Sequence, residues 1–146
     1  MKKLLMAALM VVTVAASAFA KEPKIVNSAA VNNFAIEYKK ASDVNWSTTD
    51  IYVKATFVLN QQRMEAFYNL EGDKIGTSKA FNTEELPTTA KRALAKKFNG
   101  YTVSQSIEFQ GTDETAYFIS ADNEKESVIL KVNGDGNLST FQRTKK

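Results

Sequence analysis

The sequence predicts an α+β chain in which one helix and four strands occur twice in the same order. Helical apolar spacing appears at two places about sixty residues apart, and each is followed by runs that alternate with period two. Two glycine-bearing turns, "YNLEGDKIGT" and "KVNGDGNLST", recur at a similar offset.

In the first half Ser28 is placed to cap a helix running to about Lys40, and Val31, Phe34, Tyr38 and Ala41 form its apolar stripe. "DVNWS" reads as a short strand, with Trp46 and Val44 on its core side. In "IYVKATFVL" the residues Ile51, Val53, Ala55, Phe57 and Leu59 share one face. A turn at Asn60-Gln61-Gln62 leads into "RMEAFY", and the first glycine turn leads into "KIGTSKAF".

The second half opens at Pro87, whose missing N–H costs nothing in the first turn of a helix. Ala90, Leu94 and Phe98 line the inner face, and Asn99-Gly100 ends it. "YTVSQSIEFQ", "TAYFISA", "SVILKV" and "NLSTFQR" follow as strands, separated by "GTDE", "DNEKE" and "NGDG". The halves span about 27–81 and 84–143 of a single domain.

Residues 1–20 read as a cleaved export signal. Lys2 and Lys3 precede an apolar run from Leu4 to Val14, and Ala18-Phe19-Ala20 is a small-x-small cleavage site. The run is too short to span a membrane, and cleavage after Ala20 implies a periplasmic protein with no membrane span. Of 146 residues, 126 then remain, enough to bury about two-thirds of the unfolded surface. Two of the 19 basic residues leave with the signal, so 17 face 16 acidic ones and the net charge is +1. No dense basic face of the kind nucleic acid requires is expected. The basic pairs Lys39-Lys40, Lys91-Arg92 and Lys96-Lys97 read as solvated helix surfaces.

The glycine turns resemble calcium loops, because oxygen-bearing side chains alternate at Asn69, Glu71 and Asp73 and at Asn133, Asp135 and Asn137. A helix-loop-helix site needs Gly at loop position six and Glu at twelve. Here those positions hold Lys74 and Ala80, or Leu138 and Thr144. The stretches therefore read as tight turns, with no metal.

"DVNW", "YVKATF", "EAFYN", "EGDKIGTS", the "LP" before the second helix, "KKFNGY" and "LKVNGDGNL" together resemble the PepSY-like, beta-lactamase-inhibitor-like family of periplasmic proteins. The resemblance spans nearly all of the chain beyond the signal. It implies that the tandem α-β4 units join into one curved antiparallel sheet of about eight strands, with both helices on one face. It also implies a protein-clasping open face and no catalytic residues. The cysteines of the inhibitors are missing here, so inhibition of a beta-lactamase does not transfer.

The chain has no histidine and no cysteine, which removes Ser-His-Asp and Cys-His catalysis and the usual zinc and haem ligands. Glu84, Glu85, Asp113, Glu114, Asp122, Glu124 and Glu126 fall mainly in turns or at exposed positions, where carboxylates are solvated. No enzyme and no cofactor are expected. Alternation instead leaves a set of large side chains facing away from the helices: Tyr52, Lys54, Phe67, Phe118, Ile129, Lys131 and Phe141, with Arg143 beside them. Aromatics can each cover about 150–250 Å² when buried, so this set could build a protein or peptide interface. The expected function is a non-enzymatic binding module, inhibitory or not. The alternative is an envelope scaffold or stress protein that pairs with itself, a homodimer being its signature.

Overall fold

The computed structural model of the protein describes residues 25–146; the export signal read from the sequence lies outside them. Helix α1 (Ser28–Glu37) is followed by β1 (Ser42–Thr48), β2 (Val53–Leu59), β3 (Gln62–Tyr68) and β4 (Lys74–Ala80). A short 3-10 turn (Thr83–Glu85) leads to α2 (Thr88–Lys97), then β5 (Thr102–Gly111), β6 (Thr115–Asp122), β7 (Glu126–Val132) and β8 (Leu138–Lys145). All eight strands form one antiparallel sheet in chain order, so every strand pairs with its sequence neighbour. The expected α-β4 order, twice over, is the architecture found.

Both helices pack on the same face. Ala30 and Phe34 of α1 cover Val53, Ala55, Phe57, Ala66 and Tyr68, while Ala90 of α2, with Leu86 ahead of it, covers Ile119, Ala121, Val128, Leu130 and Val132. The register makes these single-faced sets: Ala55 pairs with Ala66, and Ile119 with Leu130.

Several local expectations need correction. Asn27, not Ser28, caps α1, its side-chain oxygen accepting from the Ala29 N–H at 2.7 Å. The helix stops at Glu37 rather than near Lys40. Its buried stripe runs through Ala30 and Phe34, which leaves Val31 38 % exposed. Strand β2 starts at Val53, so Ile51 sits ahead of it in solvent. Trp46 does join the helix-side cluster, but Val44 lies in an irregularity of β1 and is exposed.

The two glycine turns have one geometry. The Asn69 N–H donates to the Asp73 carbonyl, the Gly72 N–H to the Asn69 carbonyl, and the Asp73 N–H to Asn69 Oδ1, at 2.8, 3.1 and 2.8 Å. Asn133, Gly136 and Asn137 repeat this at 3.2, 2.9 and 2.9 Å. Gly72 and Gly136 hold φ of 98° and 80°, a left-handed backbone that glycine adopts freely. Each turn also presses on the start of its own helix. A Cβ on Gly72 would lie 2.6 Å from Ala29 Cβ, and one on Gly136 would lie 2.8 Å from Thr89 Oγ1. The asparagine oxygens hold backbone, which fits the turn reading.

Candidate functional site: the helix-free sheet face

The register sends alternate residues of β2–β8 away from the helices. Lys54 pairs with Phe67, Phe67 with Gly76, Gly76 with Gly111, Ile107 with Phe118, and Phe118 with Lys131. The sequence-predicted set is thus brought together on one face. Tyr52, Phe67, Phe109, Ala116 and Phe118 form its core, with Ile75, Ile107, Ile129 and Phe141 packed against them.

The state of these residues differs from expectation. Tyr52, Phe67 and Phe118 retain only 1–2 % of their surface, so they are not an open contact patch. Among the described residues the cluster draws on strand residues and on Tyr52 just ahead of β2. Tyr52 meets Phe67 edge-on at 5.7 Å, and Phe118 meets Phe141 edge-on at 5.4 Å. The Phe109 ring leans over β4, because a Cβ at Gly76 would lie 2.7 Å from Phe109 Cζ. Rings lying along the sheet over small residues make a closed floor. Ile129, Lys131 and Phe141 are only half-buried and remain reachable.

The two lysines are also engaged. Lys54 is buried, and its ammonium donates to Glu65 Oε1 at 2.9 Å. The Ser78 hydroxyl donates to the other oxygen of Glu65 at 3.2 Å, which completes a neutral polar triad at the edge of the floor. Lys131 donates to Glu114 Oε1 at 2.9 Å. The buried Tyr52 hydroxyl has no hydrogen-bond partner among the described residues, and burial together with the nearby Glu65 charge raises its pKa.

Arg143 does not belong to this face. It pairs with Val128 in the register and with Glu126 at 3.5 Å, both on the helix side. The cause is an irregularity in β8: Leu130 pairs with Thr140 but Ile129 with Gln142, so Phe141 is an extra residue and the alternation flips after it. Sequence reasoning also missed Phe109, Ile107 and Ser78; it set Glu65 beside Phe67 on the outward side of its strand but did not give its contacts. The alternation in "SIEFQ" already puts Ile107 and Phe109 on one face, whereas the Glu65–Ser78 contact depends on strand register, which alternation alone does not give.

Among the described residues no three His, Cys, Asp or Glu side chains stand together to hold a metal, and no helix is long and apolar enough to cross a membrane. Chemically, the face offers an apolar floor, one internally neutralised triad and one rim ion pair. Such a face can offer apolar contact and little free charge.

The chain matches no protein-family profile and no curated protein. Its fold is nevertheless shared. A protein of Bacteroides eggerthii DSM 20697, provisionally described as periplasmic, superposes with a TM-score of 0.72 at 14 % identity, over 84 % of this chain and 90 % of that one. A DUF2874 family protein from Bacteroides ovatus ATCC 8483 gives 0.72 at 18 % identity, over 84 % and 89 %. A BLIP-like protein from Bacteroides fragilis NCTC 9343 gives 0.68 at 16 % identity, over 84 % and 87 %. At these identities the likeness is one of fold.

Proposed function

We propose that this chain is a non-enzymatic, exported binding module that recognises a protein or peptide through the helix-free face of its sheet. The observation that carries the reading is the one-sided packing: both helices cover one face, while the other presents an apolar floor built from sheet residues. A BLIP-like fold neighbour supports recognition, and the signal-like residues 1–20 with a neighbour described as periplasmic support export. Kinship with PepSY-like proteins belongs to the same proposal.

Burial changes the role of each predicted residue. Tyr52, Phe67 and Phe118 act as a rigid floor, and Ile129, Lys131 and Phe141 make contact above it. Lys54 is held by Glu65, whose other oxygen accepts from Ser78, so it shapes the floor rather than reaching a partner. A pre-packed floor keeps the entropy cost of association low.

The test is crosslinking capture from a periplasmic extract, followed by amide hydrogen exchange on the recovered complex. The comparison protein carries Ile129→Glu and Phe141→Ser, positions half-exposed enough to leave the fold intact. The reading predicts capture by the parent chain, loss by the variant, and protection concentrated on β6–β8. Protection confined to the helices would overturn it. A homodimer burying the same face would instead support the scaffold alternative.

A further inference from the structure

The two halves correspond through their registers, apart from the extra residue of the fourth strand, which falls at Ile75 in one and at Phe141 in the other, and their filling differs. Helix and first strand correspond at an offset of 60 and the other strands at 64, as the pairs Trp46↔Ala55 against Ser106↔Ile119 and Ala55↔Ala66 against Ile119↔Leu130 show. In the first half Phe34, Tyr38, Trp46 and Phe57 form an aromatic block. Phe34 meets Phe57 at 4.9 Å and Trp46 at 5.3 Å, both edge-on, and Tyr38 meets Phe57 at 4.7 Å. Their counterparts in the second half are Leu94, Phe98, Ser106 and Ala121. Three of the four rings have gone, and the Ser106 hydroxyl turns to the Phe81 carbonyl at 2.7 Å.

A cleft of about 460 Å³ stands beside Leu94 and Ala121, the counterparts of Phe34 and Phe57. Leu94, Ala95, Phe98, Tyr101, Val103 and Ala121 line it, between the C-terminal half of α2 and strands β5 and β6. The volume lies within the roughly 300–1,000 Å³ of ordinary ligand sites. Phe98 and Tyr101 meet edge-on at 5.3 Å and form an aromatic wall, while Val103 remains 40 % exposed. At the rim Lys91 is held by Glu84, donating to its carbonyl at 3.0 Å and lying 3.9 Å from its carboxylate. The rim charges therefore cancel, and nothing there selects a charged ligand.

We infer that this cleft binds a small molecule bearing a planar, uncharged aromatic ring, of phenyl or indole size. The first half shows what the position takes, because the same backbone frame there holds the phenyl rings of Phe34 and Phe57 edge-on to each other. A ring from outside would make the same contacts with Leu94, Phe98 and Ala121. The site is separate from the helix-free face, so it stands whether or not that face binds a partner.

The experiment is NMR titration of the full chain beyond its signal with indole, and in a second arm with N-acetyl-tryptophanamide, which carries the same ring on a peptide unit. Indole is expected to shift the methyl signals of Leu94, Val103 and Ala121. Ala121→Phe, which restores the first half's ring, should weaken binding by about tenfold or more. Should that variant fail to fold, Ala95→Glu at the exposed wall is expected to weaken it comparably, and Ala35→Glu at the matching site on α1 to leave it unchanged. Absence of indole shifts at these methyls, or binding indifferent to both cleft variants, overturns the inference. Response to the amide without response to indole overturns the small-molecule ligand.

Discussion

On one backbone plan, five positions that hold rings in the first half hold one ring and four smaller side chains in the second. The other rings of that second cluster, Phe81, Tyr101 and Tyr117, stand elsewhere in it. Phe34, Tyr38, Trp46, Phe57 and Tyr68 in the first half stand where Leu94, Phe98, Ser106, Ala121 and Val132 stand in the second. Yet both halves keep the helix, the four-strand meander, the same asparagine-glycine turn and an irregularity near the start of the first strand. The plan therefore rests on alternation and turn chemistry, which agree in both halves, and tolerates wide change in what fills the space between helix and sheet. Where filling fell short, a cleft opened.

Exchanging the filling is the strongest way to break this comparison. Phe57→Ala gives the first half the residue of the second, but there Phe57 is fully buried among Phe34 and Tyr38. Urea unfolding is expected to show a loss of about 3–5 kcal/mol, the usual cost of deleting a buried phenyl ring. A loss below about 1 kcal/mol would mean that α1 collapses onto the gap, and that the second half's cleft is a matter of helix placement rather than missing rings.

The glycine turns sharpen it next. Gly72→Ala and Gly136→Ala both force a non-glycine residue into positive φ. At Gly72 the new methyl also meets the Ala29 Cβ and, at 2.8 Å, the backbone nitrogen of Ala30, which can move only with the helix. At Gly136 the near atom is a threonine hydroxyl, with Pro87 Cβ at 3.2 Å behind it. Thermal unfolding should place Gly72→Ala about 2–3 kcal/mol below the parent and Gly136→Ala about 1–2 kcal/mol below it. The reverse order would show that the two turns bear on their helices differently from the contacts described. Calcium should leave both melting points unmoved.

Much of this plan was legible in the sequence because it is local. Strand alternation, the Asn-Gly helix stop and the turn residues act over a few positions, and eight strands and two helices could be placed from them. The open face was legible as a set of residues but not as a surface. Burial on this face involves relations between distant segments, such as Gly76 of β4 lying under the Phe109 ring of the neighbouring β5. Arg143 was misplaced because one extra residue in β8 reverses the alternation, and nothing in "NLSTFQR" marks the position. The ring-for-aliphatic exchange was present in the letters, but only the register says which positions correspond.

Tyr68 gives the smallest effect and the most selective one. Its hydroxyl is fully buried on the helix side and has no hydrogen-bond partner among the described residues, whereas its counterpart Val132 brings no polar atom to that position. Burial first, then the charges of Tyr38 and Glu37, raise its pKa well above the ordinary tyrosine value. The folded chain thus keeps Tyr68 protonated where the unfolded chain, near pH 10, releases the proton. Its contribution to stability is complete below about pH 10 and declines as pH rises from there toward the folded-state pKa. Tyr68→Phe removes both the orphaned hydroxyl and this titration. Stability at pH 7 should rise by about 1 kcal/mol, and the alkaline decline should flatten by about 1.4 kcal/mol per pH unit. A variant less stable at pH 7 would mean that the hydroxyl is satisfied in solution, and the first half would then hide no polar strain among its rings.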